Sequence, residues 1–187
     1  MTVNAMGFPD HFATERLRAE RLTAAHEADI AAMHRDAEQM AMLGGVRDEA
    51  QTAAYMERNL RHWDEFGFGL WLLRDPQNGE ICGRGLLRHV LIDGVDEVET
   101  GYGFYATHWG RGLATEVADA CVQLGRERLG LTSIVAITGA GHVASQRVMV
   151  KAGMVFDRAL DGSYEGHVLY RTAVGEAAGV AKELRSG

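Results

Sequence analysis

Residues 98 to 116 read VETGYGFYATHWGRGLATE, and this stretch decides the fold. An aromatic-rich extended run, Glu99 to Tyr105, breaks at Ala106–His108 and passes through Trp109-Gly110-Arg111-Gly112-Leu113-Ala114 into a helical pattern. Two glycines flanking an arginine at a helix start suit a backbone that closes around a phosphate. Glycine has no Cβ, so the main chain can approach an anion and adopt positive φ. The first helical turn adds unpaired N–H groups and the positive end of the helix dipole, which together make an anion site without lysine.

Two familiar phosphate motifs fit the segment poorly. The pattern G-x-x-x-x-G-K-[ST] does not occur. Gly101-Tyr102-Gly103-Phe104-Tyr105-Ala106 spells G-x-G-x-x-A, but its glycines lie inside the extended run and the helix opens only near Gly112. In a dinucleotide fold the third position already opens the helix. A nucleotide-binding oxidoreductase is therefore the distant rival, and a glycine-rich connection without a ligand is the other.

Outward from this stretch the chain alternates strands and helices. Thr14–Arg21 reads as a first strand and Thr23–Ala37 as a helix with Thr23 as N-cap. Gly44-Gly45 marks a loop, and Asp48–His62 reads as a second helix. Phe68–Arg74 and Glu80–Leu91 form a hairpin about Asp75-Pro76-Gln77-Asn78-Gly79. After Asp93-Gly94, Glu97–Tyr105 is the fourth strand, where Gly101 and Gly103 suggest a bulge or a close approach. Gly112–Leu129 is a helix, Ser133–Thr138 a buried strand, and Val143–Ala152 a helix stopped by Gly153. Val155–Arg158 and His167–Thr172 close the sheet. One domain spans residues 11 to 174, after a loose lead-in of residues 1 to 10 and before a tail or frayed helix of residues 175 to 187.

The 187 residues carry 19 Lys and Arg against 26 Asp and Glu, a net charge of −7. That balance disfavours nucleic acid as a partner and favours cationic amines. Cys82 and Cys121 form no C-x-x-C, and the eight histidines show no H-x-x-x-H or H-E-x-x-H, so no metal is expected. No secretory segment or bilayer-length apolar run is seen, which makes cytoplasm the default location.

The element order, together with Thr14-Glu15-Arg16-Leu17, Gly67-Phe68-Gly69, Gly101-Tyr102, Trp109 to Glu116, and Ser145, Val148, Lys151, Ala152 and Gly153, resembles the GNAT N-acetyltransferase superfamily. Within it the chain is similar to the Rim-type branch of ribosomal-protein N-terminal acetyltransferases, over about Thr14 to Tyr170. The resemblance implies an α/β (α+β) fold with a mixed, mostly antiparallel sheet of about seven strands, splayed between the fourth and fifth and flanked by helices. It implies acetyl-CoA as co-substrate, no metal, a primary amine as acceptor (a peptide N-terminus, a polyamine or a small amino compound), and a monomer or homodimer.

The family's pyrophosphate loop, Q/R-x-x-G-x-G/A, maps to Trp109-x-x-Gly112-x-Ala114. Backbone amides of Gly110, Arg111, Gly112, Leu113, Ala114 and Thr115 are then expected to hold the pyrophosphate, and the strand edge at Phe104 and Tyr105 to pair with the pantetheine arm. Arg111 could reach a phosphate or remain solvated. His142 stands where the family often has an asparagine against that arm, and Met149 where many relatives carry a tyrosine acid.

Glu99 is the candidate general base, acting through water, with Glu97 second. A glutamate there could instead pair with Arg84 or Arg88. Ser145 is the candidate acid or water anchor, or a helix cap. Asp93, Asp96, Glu97 and Glu99 make the segment before the site acidic, which would attract a cationic acceptor or belong to a solvated edge. The substrate groove is expected from the loop Met40–Arg47, the Tyr55 helix and the first half of the fourth strand. A non-catalytic acyl-CoA sensor with the same fold is the alternative to an enzyme, suggested by His142 and Met149.

Overall fold

The computed structural model describes residues 7 to 173; the expected tail, residues 175 to 187, lies outside the described residues. Eight strands form one sheet in the order β1-β2-β3-β4-β5-β6-β8-β7. They are β1 His11–Ala13, β2 Arg18–Arg21, β3 Leu70–Arg74, β4 Ile81–Ile92, β5 Val95–Phe104, β6 Val135–Gly139, β7 Met154–Ala159 and β8 His167–Thr172. All neighbours run antiparallel except β5 and β6, which are parallel. The helices are α1 Glu27–Arg35, α2 Ala37–Met40, α3 Glu49–Phe66, α4 Leu113–Leu129 and α5 Val143–Lys151.

The strand count is eight and not seven because His11–Ala13 is a strand of its own, and the expected strand Thr14–Arg21 shortens to Arg18–Arg21. Thr14 N–H donates to the Leu17 carbonyl at 3.0 Å and Leu17 N–H to Thr14 Oγ1 at 3.2 Å. That turn folds β2 back on β1, pairing Phe12 with Ala19. The expected helix Thr23–Ala37 also divides, at Asp36. Its backbone is extended there, and its side chain accepts from Gln39 N–H at 2.8 Å, capping α2.

α3 starts as its sequence indicates. Asp48 accepts from Gln51 N–H, and Gln51 accepts in turn from Asp48 N–H. It runs four residues past His62, to Phe66, because the first residue free to turn left-handed is Gly67 (φ 72°).

Of the lead-in, residues 7 to 10 are described. Phe8 is 1% exposed there and packs on Phe68 and Trp71, with ring centroids 5.6 and 5.8 Å away. The main core gathers Trp63, Leu70 to Leu73, Leu87, Val117 and Cys121. A smaller cluster under α5 holds Ala136, Met149, Met154, Val168 and Tyr170. No bulge occurs at Gly101 or Gly103: β5 pairs with β4 in unbroken register from Val95 to Phe104. The glycines answer to close approach. A Cβ on Gly103 would lie 3.1 Å from Leu43 Cδ1, and one on Gly83 would lie 2.4 Å from the Gly103 carbonyl.

Candidate active site

The loop between β5 and α4 turns on Gly110 and Gly112, at φ 71° and 78°. None of the backbone N–H groups from Gly110 to Thr115 has a protein acceptor among the described residues. A Cβ on Gly110 would meet nothing within 4 Å, so the surface above the loop is open. Unpaired amides at the start of a 17-residue helix are groups that can accept an anion, which makes this loop the candidate anion cradle. Leu113 is buried, which anchors the helix start, whereas Arg111 is exposed and lies 4.0 Å from Asp75.

Thr14-Glu15-Arg16-Leu17 explains itself here. Arg16 donates through Nε to Glu116 Oε2 at 2.7 Å and through Nη1 to the Arg111 carbonyl at 2.6 Å, while its own N–H reaches Glu116 Oε1 at 2.8 Å. Burial opposes ionisation of Glu116, but hydrogen bonds from Thr14 and Arg16 and the Arg16 charge outweigh it and hold the carboxyl below its ordinary 4.5. A lowered folded value means stability that is full above the ordinary carboxylate range and lost as pH falls through the folded value. Glu116→Gln should therefore lower the melting temperature at pH 7. The gap from wild type should close as the pH is brought below about 4. A gap of constant size across a melting series from pH 7 to pH 3 would show that the pair carries no such linkage.

Next to the loop the sheet is parted. β5 and β6 are bridged at one pair, Glu99 and Val135. Tyr105 N–H donates to the Cys82 carbonyl on β4 at 3.1 Å, so by strand alternation Tyr102 and Phe104 present N–H and C=O to the side from which β6 has turned away. The Phe104 carbonyl accepts the Trp109 indole N–H at 2.8 Å. Trp109, 51% exposed, thus ties the glycine loop to the end of β5. The Phe104 side chain is core, and Tyr105 is half-buried.

Glu99 stands at the vertex of the parting and is 7% exposed. It pairs across the strands with Arg88, whose Nε and Nη2 both lie 2.5 Å from Oε1. Among the described residues Oε2 has no protein partner. Glu97 is held by Arg171 at 2.7 and 3.0 Å. Asp96 meets His89 and Asp93 meets Arg158, each at 3.0 Å. Each member of the acidic segment is thus paired, Glu99, Glu97 and Asp93 with arginines and Asp96 with His89.

Ser145 is the third residue of α5 and caps nothing. It is buried, and both its carbonyl and its Oγ lie 3.1 Å from the Tyr102 hydroxyl. Burial pushes the Tyr102 phenol up to about 12, so it stays protonated. His142 is the half-buried residue before α5, and burial lowers its pKa. Met149 belongs to the small core cluster, and its thioether has no proton to transfer.

Three groups at this site escaped the sequence reading. Tyr102 was legible only as part of Gly101-Tyr102. The sequence places Tyr55 on the groove helix without showing its partners, and offers Arg84 only as a partner for Glu99. Period-two spacing puts Arg84, Leu86 and Arg88 on one face of β4, which is the signal that could have joined them. Among the described residues no group of three or more His, Cys, Asp or Glu side chains could hold a metal ion. No helix there is long and apolar enough to cross a membrane.

A parted sheet beside a helix-borne anion cradle has the form of a holder for an extended, phosphate-bearing ligand. The chain belongs to the GNAT acetyltransferases: the family described as Acetyltransferase (GNAT) domain matches residues 16–155. It is 29% identical over 148 residues to the uncharacterized protein YkkB of Bacillus subtilis (strain 168), covering 79% of this chain and 86% of that one. The crystal structure of an acetyltransferase from Agrobacterium tumefaciens str. C58 superposes with a TM-score of 0.78 at 25% identity, covering 92% and 99% of the two chains. RimL, a ribosomal L7/L12 alpha-N-protein acetyltransferase in complex with coenzyme A, has a TM-score of 0.68 at 14% identity, with 89% and 97% covered, a likeness of fold.

Proposed function

We propose that this protein is an acetyl-CoA-dependent N-acetyltransferase that moves an acetyl group to a primary amine, with the Rim-type branch as its place in the family. The observation that carries the reading is the parted edge of β5 lying against the unpaired amides of residues 110 to 115. The amides fit a pyrophosphate, and Arg16 and Trp109 keep them in place. The N–H and C=O of Tyr102 and the N–H of Phe104 fit the amides of a pantetheine arm as an added strand would, the Phe104 carbonyl being held by Trp109. When bound, acetyl-CoA supplies an acetyl thioester as the electrophile.

Glu99 takes a proton from the acceptor ammonium, directly or through water, leaving the neutral amine that forms the new C–N bond. Arg88 fixes one carboxylate oxygen, so the proton goes to Oε2. As the C–S bond breaks, the Tyr102 O–H, kept protonated by burial, turns from the Ser145 carbonyl and donates a hydrogen bond toward the leaving sulfur; the acylated nitrogen gives its second proton to solvent, and solvent supplies the proton that completes the thiol. His142, the residue before α5, can donate one hydrogen bond and is a candidate contact to the pantetheine arm.

The test is binding followed by turnover. Acetyl-CoA at 100 times its Kd should stabilise the fold by about 2.7 kcal/mol, read as a rise in Tm. CoA should then be released with an amine present. Unchanged melting in saturating acetyl-CoA, with no heat in calorimetry, would remove the proposal; binding without CoA release from any amine would leave a sensor.

A further inference from the structure

The acceptor side of β5 carries a charge opposite to that of the whole chain. Tyr55, 3% exposed on α3, lies at the centre of three guanidinium groups. The Cζ atoms of Arg47, Arg58 and Arg84 stand 4.9, 5.4 and 5.1 Å from its ring centroid. Arg84 Nη1 donates to the Tyr55 hydroxyl. Arg88 follows Arg84 on the same face of β4, four residues on, and its pair with Glu99 joins the group to the candidate base.

A cluster of this kind is costly to assemble unless a negative charge joins it. Among the described residues no carboxylate pairs with Arg47, Arg58 or Arg84. Arg84 is only 7% exposed, yet its Nε has no hydrogen-bond partner. Burial first, and then the neighbouring guanidinium charges, lower the pKa of both Arg47 and Arg58. His34 answers to the same field. Burial and then Arg47, Arg84 and Arg58 bring it to about 4, so it is neutral near pH 7. Its Nε2 can then accept from Arg47 Nη1 at 3.1 Å while Nδ1–H donates to Thr52 Oγ1 at 2.9 Å, which aims Arg47 without cancelling its charge.

The cluster continues into open space. Arg58, Arg61, His62, Glu65, Arg88 and Tyr164 line part of a groove of about 390 Å³. His62 is neutral by the same logic: burial lowers it, Nδ1–H donates to the Phe68 carbonyl at 2.7 Å, and Nε2 accepts from His89 N–H at 2.9 Å. Arg61 reaches Glu57 at 3.5 Å in full solvent, and Glu65 is the one acid on the rim.

We infer that the acceptor is an amine that also carries an oxyanion, a carboxylate or a phosphate, and that Arg84, with Arg47 and Arg58, binds that oxyanion while Glu99 faces the amine. This rests on the acetyltransferase reading above and narrows its acceptor class. A guanidinium presents paired N–H donors that suit carboxylate and phosphate oxygens, and Nε of Arg84 is such a donor left over. Arg84 and Arg88 are four residues apart on one strand, a rise of roughly 13 Å, so the amine and the oxyanion of the acceptor must lie several bonds apart. An N-terminal peptide with an acidic second residue has that shape, as does an amine with a phosphate several bonds away.

The experiment measures CoA release by the full chain with four acceptors: a dipeptide amide whose second residue is glutamate, its glutamine isostere, phosphoethanolamine and spermidine. The glutamate dipeptide or phosphoethanolamine should exceed the glutamine isostere and spermidine at least tenfold in kcat/KM, and whichever of the two leads identifies the oxyanion. Arg84→Gln should raise KM for the preferred acceptor at least tenfold with kcat within about threefold, and leave the Kd of acetyl-CoA unchanged. Arg84→Lys, which keeps the charge, should recover part of that loss and guards against a folding defect. Equal use of the glutamate and glutamine dipeptides, or preference for spermidine, would overturn the inference. So would a loss of acetyl-CoA affinity in Arg84→Gln, because the arginines would then serve the cofactor's phosphates.

If no amine turns over, glutarate and inorganic phosphate titrated into wild type decide the matter. Binding that weakens at least tenfold in Arg84→Gln sustains the oxyanion site, and no binding of either overturns it. Failure to bind acetyl-CoA at all sinks the acetyltransferase reading first, and is seen separately in the melting assay.

Discussion

Glu99→Gln should lower kcat by about 10²–10⁴-fold near neutral pH, the usual contribution of a positioned proton acceptor. The amide keeps the size of the side chain and one oxygen to receive Arg88, but it has no basic oxygen to take the amine's proton. Acetyl-CoA affinity should change little, since the phosphate cradle begins eleven residues further on, at Gly110. The deficit should shrink as pH rises, because more of the amine then arrives already neutral. Stability must be read beside activity: the substitution unpairs a half-buried Arg88, so a melting curve has to show that the variant is folded. Folded Glu99→Gln enzyme with wild-type turnover at pH 7 would remove the residue from the mechanism. Glu97, already held in a bidentate pair by Arg171, would be the next group to test.

The second large effect is expected on binding. Gly112 has φ 78°, a backbone region that branched side chains avoid, and it precedes the first turn of α4. Gly112→Val both forces the loop out of this shape and adds two methyl groups over its amides. Losing two hydrogen bonds to a charged phosphate, at about 1.5–3 kcal/mol each, corresponds to at least a 10²-fold loss of acetyl-CoA affinity. The core of the sheet should persist, because a Cβ at this position would have the Arg16 guanidinium at 3.5 Å as its neighbour and no core atom. Calorimetry on the folded variant decides it, and unchanged affinity would place the anion site elsewhere.

The parts of the fold that were legible in the sequence are those whose signals are local. Asp48 with Gln51, Gly67, Gly112 and Gly153 mark helix ends by chemistry that acts within a turn, and the glycine loop lies where the sequence places it. The first strand was misread because its alternation of charge runs on through Thr14–Leu17, where a turn with no Gly or Pro reverses the chain. The break between α1 and α2 rests on Asp36, a residue equally at home inside a run of helical character.

The site divides in the same way. The unpaired amides of residues 110 to 115 belong to one continuous segment, so the sequence alone can nominate them as candidates residue by residue. The electrostatics could not, because they are set by partners far along the chain. Glu97 and Arg171 are 74 residues apart, Asp93 and Arg158 are 65 apart, and Arg84 and Tyr55 are 29 apart. A count of charges gave −7 and suggested a cationic ligand, yet Asp93 and Glu97 are paired with distant arginines and Asp96 with nearby His89. The arginines around Tyr55 are left over.

The single bridge between β5 and β6 has a consequence for solubility as well as for binding. Unpaired strand edges ordinarily invite other chains to add to a sheet and so to aggregate. Here the open groups, the N–H and C=O of Tyr102 and the N–H of Phe104, are in the interior of an eight-stranded sheet, with β6 and α5 close by on the far side of the gap. A ligand one strand wide can enter such a slot, but a hairpin or a second sheet cannot follow it in. The fold can therefore keep an adhesive edge permanently exposed to a small molecule while denying it to its own copies.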